Sequence, residues 1–185
     1  SLGSCLKTRC SRGDYGYLFT INGTENLLLP VPGRHNVLNA AAAVAVARNL
    51  GMSWETIRSS LATCRLPPLR LHVYESGGMV LVDDSYNANP ASMRAAIQEW
   101  VSLSDTPQSR VAVVGDMLEL GEHSHRAHED LGGELGEAGC RLVVTVGEDS
   151  RWIGAGCSRV APGTEVVHFD DPQESQPFLM RSLRT

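Results

Sequence analysis

A dense group of polar side chains follows the apolar run at residues 80–82. The stretch DDSYNAN, residues 83–89, contains two carboxylates, a hydroxyl, a phenol and two amides. Asn89 and Pro90 suit the N-cap and first position of a helix, and apolar residues at helical spacing follow them. The sequence therefore predicts a strand that runs into a helix through a loop rich in hydrogen-bonding groups.

Two further loops follow apolar strands, at residues 115–122 and 147–150. Ligands of open α/β sheets bind at the carboxyl ends of strands, and helix N-termini favour anionic groups. We therefore expect one cleft to be lined by Asp84, Ser85, Tyr86, Asn87 and Asn89 together with Asp116 and Met117. The structural alternatives are a helix cap at Asn89 and a turn at Asp83 and Asp84.

A second candidate is GRHNVLN, residues 33–39, at the start of an Ala-rich helix. Asn36 and Asn39 are three residues apart, so both side chains lie on one helix face. An amide offers a donor and an acceptor, which matches the edge of adenine. Helix capping is the alternative for both residues.

Three histidines, His123, His125 and His128, resemble a metal cluster only in their number. No HExxH motif or cysteine partner accompanies them in a polar segment, so we expect solvated or packing roles and no metal site. The glycines of residues 115–122 do not form GxGxxG, which argues against a Rossmann dinucleotide site.

The composition is that of a globular protein without a nucleic-acid or membrane signature. The 185 residues are 42% hydrophobic and 20% charged, with a net charge of −5. There is no basic stripe for nucleic acid, no apolar run long enough to span a bilayer, and no signal-peptide core. The five cysteines lack CxxC spacing, so we expect reduced thiols, and we predict a cytoplasmic location.

Strands and helices alternate from residue 80 onward. Because the strands are continuously apolar, this order predicts an α/β fold with a Rossmann-like, mainly parallel sheet and helices on both faces. The first 70 residues instead predict a hairpin at Asn22–Gly23 and an Ala-rich helix pair, and Gly77–Gly78 predicts a second hairpin. We therefore expect two domains, residues 1–74 and 75–185.

Several collinear motifs resemble the Mur ligases of bacterial cell-wall synthesis. They are VPGRHNVLNAAAAVAVA, LRLHV, LVDDSYNANPASMRAAI, VAVVGDMLELGE followed by HEDLG, and VTVGE, and together they cover about residues 15–170. The pieces DDSYNANP and GDMLELGE resemble the MurF type in particular, which adds D-alanyl-D-alanine to UDP-N-acetylmuramoyl-tripeptide. The resemblance implies a partial central ATPase domain followed by most of the C-terminal ligase domain.

The resemblance also implies roles for the candidate residues. Asn36 and Asn39 would belong to the adenine pocket, Arg70 would reach the ribose or phosphates, and Asp84 would accept hydrogen bonds from the ribose hydroxyls. Ser85, Tyr86, Asn87 and Asn89 would line the place where the tripeptide donor and the dipeptide acceptor meet, with Asp116 and Met117 on the adjacent loop. The full-length enzyme would use ATP and Mg²⁺; no catalytic residue is assigned.

The sequence departs from this family pattern in three ways. It has no glycine-rich phosphate loop ending in Gly-Lys-Ser/Thr, and its only lysine is Lys7. The KGSR-like strand and the last helix of the family are absent. The family's Pro-Gly-Arg is replaced by Pro68-Leu69-Arg70. We therefore expect a fragment that is inactive alone, that binds neither ATP nor Mg²⁺ alone, and that self-associates through exposed apolar surface.

Two other functions remain open from the sequence. One is a sister Mur or folylpolyglutamate-type ligase with another acceptor, against which Tyr86 and Asn87 favour the MurF type. The other is a non-catalytic binding module that kept the fold and lost the chemistry, which the missing phosphate loop fits equally well.

Overall fold

The computed structural model describes residues 2–9, 15–23, 25–103, 106 and 109–183. The chain divides into two compact units, Ser1–Tyr86 and Asn87–Thr185. This division places residues 75–86 in the first unit. The predicted domain limits, 1–74 and 75–185, stay a prediction.

The first unit begins with a three-stranded antiparallel sheet and two helices. Strands β1 (Leu2–Arg9), β2 (Tyr15–Ile21) and β3 (Glu25–Leu29) pair in the order β1-β2-β3. Asn22 and Gly23 both have positive φ, as the hairpin signal predicts. Helices α1 (Arg34–Asn49) and α2 (Trp54–Ala62) follow, and the Ser53 side chain caps α2 through the amide of Thr56. The shared core consists of Tyr17, Phe19, Leu27, Leu29, Val31, Val37, Ala40, Val44 and Ile57.

A second hairpin completes the first unit. Strands β4 (His72–Ser76) and β5 (Met79–Asp83) pair antiparallel across Gly77 and Gly78, which both have positive φ. The hairpin that Gly77–Gly78 predicts is confirmed, and among the described residues β5 pairs with β4 and not with a strand of the parallel sheet. The Gly-Gly turn folds β5 back onto β4, so its backbone groups pair with the preceding strand.

The second unit contains the parallel sheet. Helix α3 (Pro90–Val101) precedes β6 (Val111–Gly115), α4 (Ser124–Glu137), β7 (Leu142–Val146), α5 (Arg151–Val160), β8 (Glu165–Phe169) and α6 (Pro172–Ser182). The strands pair in parallel in the order β6-β7-β8.

Both faces of the central strand are covered. Residues 142–145 of β7 are all buried, and successive side chains of a strand point to opposite faces. On one face Val143 joins a core with residues of α4 and α5, while on the other Phe169 of β8 contacts Phe178 of α6. This arrangement confirms the predicted α/β class with helices on both faces.

Helices α4 and α5 pack backbone against backbone through glycines. A Cβ added at Gly132 would collide with the carbonyl oxygen of Ile153 and lie 2.8 Å from the amide nitrogen of Cys157. A Cβ at Gly156 would collide with the carbonyl of Glu129. The close approach fixes the positions of the two helices whose N-termini follow the loops of interest.

One face of α1 leaves apolar side chains in solvent. Leu38, Val46 and Leu50 recur at multiples of four residues and are 61%, 61% and 75% exposed. Across the part of the chain that the structure describes, no helix combines the length and apolarity needed to cross a membrane.

Candidate functional site

In the first unit, the end of β5 is hydrogen-bonded to the segment that precedes β4. The Leu71 amide donates to Oδ1 of Asp84 over 2.9 Å, and the Tyr86 amide donates to the Leu69 carbonyl over 3.1 Å. These two bonds hold residues 84–86 beside residues 69–71.

The segment 69–71 has an unusual backbone. Leu69 has φ +62° and Leu71 has φ +44°, in the left-handed region that disfavours residues with a Cβ. Leu69 occupies the position where the family pattern has glycine, so the substitution noted in the sequence coincides with strained backbone. The hydrogen bonds from Leu71 to Asp84 and from Tyr86 to Leu69 hold this conformation in place.

Arg70, between the two leucines, stacks on an aromatic ring. Its guanidinium carbon lies 4.1 Å from the ring centroid of Tyr86, and both side chains are exposed to solvent. Partial burial raises the pKa of Asp84 above its usual value, while the Leu71 amide, Arg70 and His35 oppose that rise. A cation, a carboxylate and an aromatic face therefore lie together on the surface of the first unit.

A cleft of about 220 Å³ adjoins these groups. Its lining includes Pro32, Leu66, Pro68, Arg70, Leu71 and Val73. At its edge the Asn36 amide donates to the carbonyl of Pro32 over 2.8 Å, and Asn39 donates to Oδ1 of Asn36 over 3.3 Å. The two asparagines do share one face of α1, and Asn39 is the more exposed of the two.

Gly33 allows this close arrangement at the start of α1. It has φ +87°, and an added Cβ would lie 2.9 Å from Cδ1 of Leu71 and 3.2 Å from Nδ2 of Asn36. Of the four residues predicted for nucleotide, Arg70 lines the cleft, Asn36 and Asp84 are hydrogen-bonded to its lining, and Asn39 is bonded to Asn36. Their nucleotide-binding role stays a prediction.

The remaining polar residues of the 83–89 stretch make local contacts. Asp83 accepts hydrogen bonds from the amide and the hydroxyl of Ser85, at 3.1 and 2.7 Å. The Asn89 side chain accepts from the amides of Ala91 and Ser92. The Ser92 hydroxyl in turn accepts from the Asn89 amide, which completes a capping box on α3. The helix-cap alternative for Asn89 is therefore observed, and its substrate role stays a prediction, as do those of Ser85, Tyr86 and Asn87.

The unit division lies between Tyr86 and Asn87, so the residues expected in one cleft fall in two units, and the single cleft stays a prediction. Ser85 and Tyr86 belong to the first unit, and Tyr86 is 63% exposed. Asn87, which is exposed and accepts from the amide of Ala88, belongs to the second.

In the second unit, Asp116 joins two loops at the carboxyl edge of the parallel sheet. Its Oδ1 accepts from the Ser150 amide at 2.7 Å, and its Oδ2 accepts from the Glu148 amide at 3.0 Å. A Cβ at Gly147 would lie 2.6 Å from this carboxylate, so glycine is needed there. A carboxylate of the chain itself thus binds the amides of the loop that leads into α5, where we expect an anionic ligand.

Met117 lies in the core of the second unit, with 1% of its side chain exposed. Its amide donates to Nε2 of His128 over 2.9 Å. The substrate role predicted for Met117 stays a prediction, and the buried side chain favours packing.

Sequence reasoning missed the importance of His128, which is buried on α4 with 0% exposure. It also missed Ser124 and Asp149, whose side chains are joined by a 2.7 Å hydrogen bond. The i, i+4 spacing of Ser124 and His128 was the available signal. His123 is exposed, and the ring of His125 packs against that of Trp152 with 4.0 Å between the ring centroids.

The family comparison agrees with the motifs. The family model described as "Mur ligase, glutamate ligase domain" matches residues 69–180. UDP-N-acetylmuramoyl-tripeptide–D-alanyl-D-alanine ligase of Escherichia coli is 42% identical over 144 residues, 77% of this chain and 31% of that protein.

Solved structures give the same result. MurF of Acinetobacter baumannii superposes with a TM-score of 0.78 at 35% identity, over 92% of this chain and 36% of the other. MurF of Thermotoga maritima, solved in complex with ADP, superposes with a TM-score of 0.73 at 27% identity, over 97% of this chain and 39% of the other. This chain spans about a third of the length of the curated relatives it matches. By motif, fold and sequence identity, the chain belongs to the Mur ligase family.

Proposed function

We propose that this chain is part of an ATP-dependent ligase that adds D-alanyl-D-alanine to UDP-N-acetylmuramoyl-tripeptide. The observation that carries the proposal is the gathering of Asn36, Arg70 and Asp84 at one cleft in a chain 42% identical to such a ligase. In this reaction the tripeptide carboxylate attacks the terminal phosphorus of ATP and ADP leaves. The amine of the dipeptide then attacks the acyl carbon, and inorganic phosphate leaves as the amide forms.

The first unit would hold the nucleotide. Oδ1 of Asp84 already accepts from Leu71, which orients Oδ2 as an acceptor for a ribose hydroxyl. Arg70 offers the planar donor fork that suits phosphate, and it would exchange part of its stacking on Tyr86 for that contact. Nδ2 of Asn36 donates to Pro32 and Nδ2 of Asn39 donates to Asn36, so exposure decides between the two amides, and the more exposed Asn39 is the better partner for the adenine edge. The ADP complex of the Thermotoga maritima relative supports a nucleotide site in this fold.

The donor and acceptor would meet at Ser85, Tyr86, Asn87 and Asn89, with Asp116 on the adjacent loop. Ser85 and Asn87 are exposed and carry the donors and acceptors that a peptide backbone needs. The proposed task of Asp116 is to hold the 147–150 loop in place through its two amide contacts.

Mg²⁺ enters the proposal as the ion that accompanies ATP. Among the described residues, no three His, Cys, Asp or Glu side chains lie close enough to hold a metal ion, so we assign it no ligand in this chain. We place the reaction in the cytoplasm, where ATP is available and where free thiols such as Cys64, Cys140 and Cys157 stay reduced. We also propose that the chain alone self-associates through Leu38 and Val46 of α1 and its C-cap residue Leu50.

The test is phosphate release from ATP by a full-length enzyme that contains this chain. The enzyme receives UDP-N-acetylmuramoyl-tripeptide with D-alanyl-D-alanine, D-glutamate or diaminopimelate in turn, and this chain alone serves as the control. Release with D-alanyl-D-alanine only is expected. Release with another acceptor would move the assignment to a sister ligase, and no release from a folded enzyme would favour a binding module.

The nucleotide role has its own test in the same enzyme. Replacing Asp84 by Ala should raise the KM for ATP, because the ribose loses its acceptor. Glu75→Ala, which removes an exposed carboxylate from β4 of the same hairpin, is the matched control and should leave the KM unchanged. An unchanged KM in both variants would remove Asp84 from the site.

A further inference from the structure

His128 is the fully buried histidine of α4, and both of its ring nitrogens have backbone partners. Nε2 lies 2.9 Å from the amide nitrogen of Met117, and Nδ1 lies 2.7 Å from the carbonyl oxygen of Ser124. The Ser124 hydroxyl lies 3.3 Å from the same Nδ1. None of the residue's polar atoms reaches solvent, since its exposure is 0%.

These partners determine where the ring proton lies. A backbone amide can only donate, so Nε2 must be the unprotonated nitrogen. A carbonyl can only accept, so Nδ1 must carry the proton. The geometry therefore selects the neutral imidazole with its proton on Nδ1.

The same histidine connects the two loops at the carboxyl edge of the parallel sheet. Its Nε2 holds the backbone of the β6–α4 loop at Met117, directly after Asp116. Its Nδ1 holds Ser124, whose hydroxyl donates to Asp149 of the β7–α5 loop over 2.7 Å. Asp116 makes the second connection, to the amides of Glu148 and Ser150. The two loops are thus joined at two places, through Asp116 and through the Ser124–Asp149 bond, and His128 is bonded to Ser124 at the second.

We propose that His128 is a positioning residue: as the neutral Nδ1–H imidazole it fixes the β6–α4 loop at Met117 and, through Ser124 and Asp149, holds that loop against the β7–α5 loop. Its relevance to the acceptor rests on the proposed function, which places Asp116 beside the substrates. The loop geometry itself does not depend on that function, and neither does the test.

The first test determines which ring nitrogen of His128 carries the proton in the 185-residue chain. Long-range ¹H–¹⁵N correlation spectra distinguish a protonated from an unprotonated ring nitrogen. We expect His128 at neutral pH to show a protonated Nδ1 and an unprotonated Nε2. The spectrum of exposed His123 serves as the reference for a ring in solvent. A protonated Nε2 on His128 would overturn the proposal, and this result needs no variant to fold.

The second test compares two replacements by amide exchange. Gln places an amide oxygen near the position of Nε2 and can still accept from Met117, whereas Asn reaches only to the position of Nδ1. In His128→Asn the Met117 amide should exchange about tenfold faster or more than in the wild-type chain, since a buried donor loses its acceptor. In His128→Gln it should stay within about threefold of the wild-type rate.

His123→Gln is the control for the exposed surface and should leave the Met117 rate unchanged. Equal exchange of Met117 in the wild type and His128→Asn, both folded, would show that His128 does not hold the loop. Both tests are made without substrate or ATP, so they can fail while the ligase assay succeeds, and the reverse.

Discussion

The contact between α4 and α5 makes a sharp prediction about two neighbouring glycines. Gly132 and Gly133 lie in the same helix turn, so replacement by Ala brings the same gain in helix propensity, about 1 kcal/mol. A Cβ at Gly132 would collide with the backbone carbonyl of Ile153 and lie 2.8 Å from the Cys157 amide. At Gly133 the nearest atom outside the local backbone is Cγ2 of Val160, at 3.6 Å, an ordinary contact.

The two variants should therefore change the stability of the second unit in different ways. Backbone cannot rotate away as a side chain can, so Gly132→Ala must push α5 from α4, at the upper end of the roughly 1–3 kcal/mol that overpacking costs. After the propensity gain, we expect a net loss of about 2 kcal/mol. Gly133→Ala should be neutral or stabilise the unit by up to about 1 kcal/mol.

Native-state hydrogen exchange of α4 and α5 amides measures this difference within the second unit. It reports the opening free energy of these helices whether or not the two compact units unfold together. We expect lower protection along both helices in Gly132→Ala and unchanged or higher protection in Gly133→Ala. Equal protection in the two variants would refute the backbone-to-backbone contact.

Four further predictions concern single side chains. Leu69→Gly should stabilise the chain by about 1 kcal/mol in urea unfolding, because it relieves the +62° φ of a side chain that is already 42% exposed; a loss of stability would contradict the assigned strain. Asp84→Asn should be at least as stable as the wild type at pH 7. Burial raises the pKa of Asp84, so the folded state binds the proton more tightly and the carboxylate's stability contribution falls as pH rises from 3.8 through the raised pKa; urea unfolding at several pH values would show a smaller pH dependence in the variant, and an equal one would contradict this. Burial raises the pKa of Cys140 to about 11, so mass spectrometry after brief alkylation at pH 8 should find Cys64 modified well before Cys140, and equal rates would disagree. Val46→Glu should lower the mass of the isolated chain in light scattering if the α1 face drives self-association, and an unchanged oligomer would exclude that face.

Local signals in the sequence predicted the elements well. Gly77–Gly78 and Asn22–Gly23 marked both hairpins, and Asn89–Pro90 marked the start of α3 with the observed capping box. These signals work because backbone dihedral preferences and caps depend on a few adjacent residues. The apolar run of β5 alone fits a parallel or an antiparallel neighbour equally well, so the Gly-Gly turn before it is the signal that indicates pairing with β4.

The site was less predictable because its geometry depends on residues far apart in the chain. Asp116 was expected to face a ligand, but its carboxylate accepts amides of residues 148 and 150, which only the folded sheet brings near. In the sequence His128 is one of three histidines in a polar segment, and its burial follows from the packing of α4 against α5 and from its contact with Met117 after β6. By contrast, the Leu69 departure from the family's glycine was visible in the sequence and coincides with a positive φ.

The product of the reaction tests the proposed function directly. A full-length enzyme containing this chain is incubated with ATP, UDP-N-acetylmuramoyl-tripeptide and D-alanyl-D-alanine, and the nucleotide-linked products are analysed by mass spectrometry. We expect UDP-N-acetylmuramoyl-pentapeptide, with one molecule formed for each phosphate released, and less of it from Asp84→Ala at limiting ATP. Phosphate release without the pentapeptide, or a product formed equally well from D-glutamate, would contradict the proposed function.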